Sequence, residues 1–333
     1  MKMYYNEDCI EGARKYIADN SIDLIITDPP YGINGDKLDK HYNRNENNVI
    51  DGYVEISEKD YPDFSKKWIK EAERVLKPGG SIYIVSGYSN LRHILNALSE
   101  TRLQEKNHII WKYNFGVYTS KKYISSHYHI LYYTKKGGKE IFNTNAFYAD
   151  SDKTETGQSQ NYKDREDVWI INKEYKPGQI KNKNELPKTL LKKMILYSSN
   201  PNDLICDFFL GSFSTAKISI GLGRMACGFE INKNAYDYQI EQISKIQFGE
   251  YLSEQKIVPK SKLFNQRKSL LDTEIDQIVL DFNSLIKKGF TKKDAINNIS
   301  EKFGRGYWSI LNILKKEKSI IDYKMEKTLW DAQ

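Results

Sequence analysis

The chain has 333 residues, 39% of them hydrophobic, and a formal net charge of +7 at pH 7. This length is enough for one large domain and a smaller one. No long uncharged apolar run predicts a transmembrane helix, and the first residues lack the apolar core of a signal peptide. The three cysteines form no CxxC pair, which favours a reduced interior and a cytoplasmic location.

Strand patterns and helix patterns alternate along the first 250 residues. The predicted strands are residues 3–5, 22–27, 81–86, 106–113, 127–134, 204–207 and 226–230. The predicted helices are residues 8–16, 61–76, 91–100, 187–198, 214–222 and 234–246. This alternation predicts an α/β fold with a doubly wound, mostly parallel sheet, in which residues 106–113 and 127–134 form an antiparallel hairpin.

Two polar stretches interrupt this pattern. Residues 32–60 contain several closely spaced asparagines, and so long an irregular stretch inside a domain is typical of a functional loop. We therefore predict a flap at residues 32–60. Residues 137–186 show no steady hydrophobic period, which predicts a loop-rich region there.

The last quarter of the chain is predicted to form a separate unit. Residues 251–333 carry 16 Lys and Arg against 11 Asp and Glu, so +5 of the net charge lies there. Few apolar groups in residues 251–270 predict a linker. Residues 271–333 are predicted to be helical, with Thr291 as an N-cap. The predicted helices of this unit are residues 274–288, 292–303 and 307–315. The short glycine turn between the last two resembles a helix-turn-helix.

The most distinctive local feature is Asp28-Pro29-Pro30-Tyr31, here called the 28–31 motif, which follows the apolar strand 22–27. Two prolines end the strand because neither has an N–H group for the sheet. A carboxylate, a stiff turn and an aromatic ring thus lie at the carboxyl end of a strand, where open α/β sheets bind ligands. This arrangement suits the exocyclic amino group of a stacked planar base.

An amino group conjugated with a base is a poor nucleophile because its lone pair is delocalised into the ring. Two acceptors aimed at its two N–H bonds localise that pair. We predict that the Asp28 carboxylate accepts one N–H and the Pro29 carbonyl accepts the other, while Pro30 fixes the turn and Tyr31 stacks on the base. A base in a duplex must be flipped out to reach them. This chemistry requires no metal.

The 28–31 motif resembles the catalytic motif of the amino-methylating DNA methyltransferases. Two later segments resemble the same family: residues 204–215 are similar to its S-adenosylmethionine-binding motif, and residues 226–231 to the next strand, which ends in an acid. The order of the motifs is that of the beta group. The resemblance implies a Rossmann-like catalytic domain at residues 1–250, with a target-recognition region at about 137–186.

The resemblance also implies S-adenosyl-L-methionine as the cofactor. Glu230 matches the acid that accepts from the ribose diol, Gly211 the turn beside the methionine part, Asp207 a partner for the ammonium, and Asp8 the residue near the adenine. The full implied cofactor-binding set is Asp8, Cys9, Asp207, Phe209, Gly211, Ser212, Thr215, Glu230 and Asn232. The segment departs from the family at Phe208, in place of a proline, and at Phe213, in place of a glycine. A ring at position 213 is expected to crowd a turn that needs positive φ or to stack at the pocket edge.

Double-stranded DNA is the implied substrate, with contacts predicted at Lys121, Lys122, Tyr123 and Arg305. A solvated loop is the alternative for the first three, and a solvated helix face or an oligomer contact is the alternative for the terminal unit. A cognate restriction endonuclease is one implied partner, although the family also includes orphan methylases. A monomer and a homodimer are both compatible with the sequence.

Asp rather than Ser at position 28 favours adenine N6 as the methylated atom within this family, and cytosine N4 is the nearest alternative. A related alternative is an RNA or protein-glutamine methyltransferase, but these more often carry Asn at that position. A non-catalytic DNA-binding regulator is the alternative of another class.

Overall fold

A computed structural model describes residues 3–30, 56–114, 116, 118, 120–173, 185–254 and 269–317 of the chain. The chain divides into two compact units, residues 1–257 and 258–333. Most of the linker predicted at residues 251–270, and most of the flap predicted at residues 32–60, lie outside the described residues. Within the described ranges, no helix combines the length and the apolar character that a bilayer crossing needs.

The larger unit is built on a mixed sheet, which has eight strands in the described residues. In chain order they are β1 (Tyr4–Tyr5), β2 (Ile22–Thr27), β3 (Leu76–Ser86), β4 (Leu103–Lys112), β5 (His127–Lys135), β6 (Val168–Ile170), β7 (Leu204–Asp207) and β8 (Met225–Phe229). Their order across the sheet is β1-β8-β7-β2-β3-β5-β4-β6. Only the pairs β3–β5 and β4–β5 are antiparallel among these neighbours. The predicted doubly wound sheet with a hairpin is confirmed.

Helices cover both faces of this sheet. They are α1 (Cys9–Tyr16), α2 (Tyr61–Val75), α3 (Leu91–Ser99), α4 (Gln160–Asp164), α5 (Lys188–Ser198), α6 (Ser214–Gly221) and α7 (Lys233–Ile243). Apolar side chains of α1, α2 and α3 form one core against the sheet, and those of α5 and α6 form another on the opposite face. Because both of its faces are covered, β2 is apolar almost throughout and its isoleucines and leucine are fully buried.

The direction in which the sheet grows reverses between β2 and β7. From β2 the chain moves outward through β3 and the hairpin, and after α5 it returns to β7 on the other side of β2. Open α/β sheets bind ligands outside the carboxyl ends of their strands at such a switch point. Asp28, Pro29 and Pro30 follow β2 and Asp207 ends β7, so these residues lie at this point.

The third strand is longer than the sequence predicts, since β3 begins at Leu76 rather than Ser81. The strand begins directly after α2, which ends at Val75, and it contains two glycines, Gly79 and Gly80. Gly79 adopts a φ of +84°, and a Cβ on Gly80 would lie 2.9 Å from the Asp23 carbonyl oxygen. These glycines therefore allow two backbones to approach closely inside the sheet.

A short strand, β6, lies inside the region predicted to be loop-rich. It pairs in parallel with β4, placing Trp169 opposite Trp111. The side chains of Val168 and Ile170 are exposed. Three residues with one buried ring give no period that a sequence can reveal, which is why this strand escapes prediction.

The smaller unit contains three helices in its described part: α8 (Asp272–Lys287), α9 (Lys292–Phe303) and α10 (Tyr307–Lys316). Thr291 caps α9, because its side chain accepts from the Asp294 N–H. Its buried core consists of Ile278, Phe282, Ala295, Ile296, Ile299, Ile310, Ile313 and Leu314. All three helices contribute to this core, which identifies them as one packed unit.

Candidate active site

The 28–31 motif leaves the sheet directly from the buried strand β2. Asp28 is half-buried, and Pro29 and Pro30 are buried. The hydroxyl of Tyr61, at the start of α2, donates to the Pro30 carbonyl at 2.8 Å. Tyr61 is 1% exposed, so this hydrogen bond is shielded from water and holds the Pro30 carbonyl in place. Tyr31 itself lies outside the described residues.

A buried hydrogen bond joins the carboxyl ends of β2 and β7. Thr27 Oγ1 donates to Asp207 Oδ1 at 2.9 Å, and both side chains are almost inaccessible to solvent. Thr27 immediately precedes Asp28, and Asp207 immediately precedes the turn at residues 208–213. The motif predicted to grip a base and the turn predicted to hold a cofactor are therefore neighbours.

The carboxylate of Asp207 is buried away from solvent. Its Oδ1 also accepts from the Phe209 N–H at 3.0 Å. Burial raises the pKa of Asp207 to about 6, although hydrogen bonds from Phe209, Thr215 and Thr27 favour its ionised form. Near neutral pH this site therefore contains a buried negative charge that a cation would stabilise.

Glu230, directly after β8, closes the turn that follows β7. Its Oε2 accepts from the Gly211 N–H and its Oε1 from the Asn232 N–H, each at 2.8 Å. Gly211 has a φ of +51°, a conformation that glycine adopts at low cost. The Gly211 N–H is thus engaged by Glu230 rather than directed at a ligand. Burial raises the pKa of Glu230 above its ordinary value.

The two departures from the family motif are both accommodated in the core. Phe208 is 1% exposed and Phe213 is fully buried. Phe213 takes a left-handed conformation with a φ of +59°, so it keeps the backbone that a glycine would supply and bears its strain. Its ring lies against Tyr4 and Tyr236, at centroid distances of 5.4 and 6.1 Å. The ring therefore packs inside the fold, and the expectation that it lines the pocket edge is wrong.

The remaining predicted cofactor residues lie around the same edge of the sheet. Asp8 caps α1, accepting from the Ile10 and Glu11 N–H groups at 2.9 and 3.1 Å. Asn232 likewise caps α7. The other members of the predicted set are distributed between the start of α1 and the turn into α6: Cys9, Phe209, Ser212 and Thr215. Of these four side chains, only that of Phe209 is more than slightly exposed.

Three residues that contribute to this site were missed by sequence reasoning. Thr27 and Tyr61 make the hydrogen bonds described above. Asn6, after β1, donates from Nδ2 to the carbonyls of Glu230 and Ile231 at 2.8 and 3.0 Å. The partner of each is far away in sequence, so local pattern does not reveal these hydrogen bonds. A polar residue at the end of a predicted parallel strand, as Thr27 and Asn6 are, was the available clue.

The hairpin loop between β4 and β5 leaves the sheet at the same edge as Asp28. This follows from the register, in which His129 of β5 lies opposite Ser86 at the carboxyl end of β3. Lys121 and Lys122 are exposed, and Tyr123 is 98% exposed. These three predicted DNA contacts are therefore accessible on the side of the sheet that carries the 28–31 motif.

Arg305 is also predicted to contact DNA, but its side chain is buried within the smaller unit. Its side chain is 7% exposed and forms an ion pair with Glu274 of α8, with Nε 2.7 Å from Oε1. Its Nη2 donates to the other Glu274 oxygen at 2.8 Å and to the Ser269 carbonyl. A bidentate pair of this kind fixes the turn between α9 and α10. The guanidinium is thus occupied inside the unit, which contradicts its assignment to phosphate binding.

Comparison with known proteins assigns the larger unit to a family. A family model described as DNA methylase, of the N6/N4 type, matches residues 22–242. The type II methyltransferase M.HpaI of Haemophilus parainfluenzae is 32% identical over 238 residues, which cover 69% of this chain and 71% of that protein. The DNA adenine methyltransferase YhdJ of Escherichia coli is 29% identical over 282 residues, covering 79% of this chain and 89% of YhdJ.

The fold is also similar to that of solved structures. TTHA0409 of Thermus thermophilus, crystallised as a complex with S-adenosyl-L-methionine, has a TM-score of 0.51 and 19% sequence identity. The match covers 74% of this chain and 94% of TTHA0409. The Rossmann-like α/β fold predicted from the sequence is confirmed by this likeness.

Proposed function

This chain belongs to the DNA methylase family, and we propose that it transfers a methyl group from S-adenosyl-L-methionine to adenine N6 of a flipped-out base in duplex DNA. One observation carries the proposal. The hydrogen bond of 2.9 Å between Thr27 and Asp207 joins the turn proposed to bind the base to the turn proposed to hold the cofactor. Reacting groups must be held within contact distance for transfer to be efficient.

The proposed role of Asp28 and Pro29 is to make the adenine amino nitrogen more nucleophilic. The Asp28 carboxylate accepts a hydrogen bond from one N–H of the adenine amino group, and the Pro29 carbonyl accepts one from the other. The lone pair is thereby concentrated on nitrogen, and the proton lost from nitrogen passes to Asp28. The locked φ of Pro29 and Pro30 keeps the two acceptors in a fixed relation.

The proposed role of Tyr31 is to hold the flipped base by stacking, which contributes about 1–3 kcal/mol per base in comparable single-strand contacts. We propose that its orientation is set through Pro30, the residue directly before it in the chain. Tyr61 donates to the Pro30 carbonyl at 2.8 Å and is buried. We therefore assign Tyr61 as a positioning residue for the stacking ring.

The residues at the ends of β7 and β8 fit the proposed cofactor. S-adenosyl-L-methionine carries an ammonium, a carboxylate, a ribose diol and an adenine, and supplies an electrophilic methyl group when bound. The buried carboxylate of Asp207 suits the ammonium. Each Glu230 oxygen already accepts one backbone N–H and has further lone-pair capacity for a diol hydroxyl. The helix N-termini at α1 and α6 offer positive dipole ends at the same edge.

Adenine is the proposed target base for two reasons. YhdJ, which aligns with 79% of this chain, is an adenine methyltransferase. The first catalytic residue is an aspartate, which in this family favours N6 of adenine. The test is to express the chain in a host that lacks DNA methylation and to analyse the nucleosides of its DNA by mass spectrometry. We expect N6-methyladenine; N4-methylcytosine, or no modified nucleoside, would contradict the proposal.

Replacing Tyr61 by phenylalanine is expected to lower kcat about two- to tenfold with little change in cofactor affinity. The substitution keeps the buried ring but removes a hydrogen bond that contributes about 0.5–1.5 kcal/mol. The adenine analogue 2-aminopurine at the target position would emit more strongly in the variant, because it stacks less well on Tyr31.

The matched control for this test is Tyr83→Phe. Tyr83 is equally buried, and its hydroxyl bonds to Ser198 at 2.7 Å rather than to the 28–31 motif. Tyr83→Phe should leave kcat and 2-aminopurine emission at parent values. Equal effects of the two variants would show that Tyr61 acts only through general stability.

Cofactor affinity is expected to rise about tenfold between about pH 5 and about pH 7, tracking the pKa of Asp207 near 6. The raised pKa means that Asp207 is mostly protonated at the lower pH and ionised at the higher one, and only the ionised form attracts the cofactor ammonium. Glu230 ionises in the same direction. Calorimetry with the Asp207→Asn variant separates the contribution of Asp207 from that of Glu230. This variant should bind the cofactor weakly, and its cofactor affinity should lose most of the pH dependence.

The biological setting of the methylation is a further part of the proposal. M.HpaI is a type II methyltransferase, which supports a cognate restriction endonuclease as partner. The cytoplasmic location stays a prediction from the sequence. So does the oligomeric state, for which the prediction is a monomer or a homodimer.

A further inference from the structure

The outer side of α10 carries a row of exposed polar and aromatic groups. Ile310, Ile313 and Leu314 point into the core of the smaller unit. The residues facing away recur at helical spacing and are exposed: Trp308, Ser309, Asn312, Lys315 and Lys316. Trp308 is 72% exposed, so a large ring with a polar N–H group is accessible to a partner on this face.

The connection before α10 is short and fixed. Gly304 ends α9 in a left-handed conformation with a φ of +60°, and three residues separate the two helices. The Arg305 N–H donates to the Ser300 carbonyl at 3.1 Å, and its side chain is paired with Glu274. Two helices joined by such a turn, with a third packed on both, have the build of a helix-turn-helix. In that motif the second helix enters the major groove.

The charged side chains of α10 are all basic. Two exposed lysines, Lys315 and Lys316, lie in the last turn of α10, and this helix contains no acidic residue. Two acidic residues of α8, Glu274 and Asp281, form ion pairs with Arg305 and Lys302. The exposed side of α10 therefore carries two basic side chains and no acidic one, which complements a polyanion rather than an acidic protein surface.

We infer that the exposed face of α10 reads the major groove of duplex DNA, as a second DNA-binding site besides the target-base pocket. Asn312 and Ser309 are of the types that bond base edges, Asn to adenine in particular. Trp308 covers sugar and base-methyl groups near the helix N-terminus, and Lys315 and Lys316 contact phosphates. Lys292 and Lys293, exposed at the start of α9, meet the backbone where the first helix of the motif crosses it. This inference does not depend on which base is methylated.

The test uses the full chain and a library of duplexes with a randomised centre, from which bound molecules are sequenced. The parent should select a base pattern in addition to its methylation site. Asn312→Ala should erase part of that pattern and lower affinity for the selected duplex about tenfold or more. Asn283→Ala, an exposed asparagine on α8, is the matched control and should change neither. An unchanged pattern in Asn312→Ala would overturn the inference.

The phosphate contacts have a separate readout. Replacing Lys315 and Lys316 together by alanine should weaken binding to all duplexes alike and reduce the slope of log affinity against log salt by about 2. An unchanged slope would count against the site. Trp308→Ala should lower affinity for DNA; if it instead only reduced self-association in sedimentation, the face would be a contact between copies of this chain and the inference would fail.

Failure of this inference and failure of the proposed methylation can be told apart. Methylated nucleosides in host DNA report on the catalytic unit, whatever α10 binds. Conversely, a selected pattern that disappears in Asn312→Ala would establish the second site even if the methylated base proved to be cytosine.

Discussion

Replacing Asp28 by alanine is expected to lower the rate of methyl transfer by about 1,000-fold. A positioned acid–base group contributes about 100- to 10,000-fold, and an electrostatic acceptor a similar amount. In the proposed mechanism the carboxylate does both, since it accepts an N–H in the ground state and takes the proton as the nitrogen forms its new bond. Pro29 keeps its carbonyl in the variant, so a residual rate remains.

The Asp28→Asn variant should fall between the parent and Asp28→Ala. An amide oxygen accepts the N–H, but a charge-assisted hydrogen bond is roughly twice as strong as a neutral one. Rates are measured in single turnovers with a methyl-labelled cofactor and a duplex that carries the site. The matched control is Asp237→Ala, an exposed acid on α7 whose ion pair with Lys233 lies on the surface. Cofactor affinity and melting temperature should be at parent values in all of these variants.

The second large effect is expected for Glu230→Gln, which should weaken cofactor binding about 10- to 100-fold. The parent carboxylate accepts backbone N–H groups from Gly211 and Asn232 on its two oxygens. A glutamine has one acceptor oxygen, so its amide group would face one of these N–H groups donor to donor. Loss of one hydrogen bond to a charged group costs about 1.5–3 kcal/mol. Because the cofactor is proposed to bind this turn, restoring the conformation of the turn would cost part of that free energy on binding, and a lost contact to the ribose diol would add to it.

Calorimetry against the cofactor measures this effect, with Glu241→Gln as the control. Glu241 is an exposed residue of α7 whose ion pair with Lys245 is solvent-accessible, so its substitution should leave affinity unchanged. Parent-like affinity in Glu230→Gln would remove Glu230 from the proposed cofactor site. If the cofactor-free variant melted at a lower temperature but kept the parent's cofactor affinity, the role of Glu230 would be to stabilise the turn alone.

The larger unit could be predicted in outline because its strands are buried on both faces. The run Ile22–Thr27 is apolar and ends at two prolines, and β2 has those bounds. The helix 61–76 carries one apolar stripe, and α2 ends one residue earlier. Hydrophobic periodicity and the residues that end a helix or strand depend only on local sequence.

The contacts that complete the candidate site could not be read from the sequence. Thr27 and Asp207 are 180 residues apart, and only the strand order brings them together. Phe213 is a phenylalanine in a left-handed conformation, where propensity predicts glycine; its burial against Tyr4 and Tyr236 offsets the backbone strain. Arg305 looked like a basic surface residue because its partner, Glu274, lies on another helix.

The most direct test of the mechanism is the structure of this chain bound to a non-reactive cofactor analogue and a duplex that contains its site. We expect a flipped adenine whose N6 lies about 3 Å from both an Asp28 carboxylate oxygen and the Pro29 carbonyl oxygen, beside the cofactor held at Asp207 and Glu230. A base that remains stacked in the duplex, or an Asp28 carboxylate turned away from N6, would contradict the mechanism.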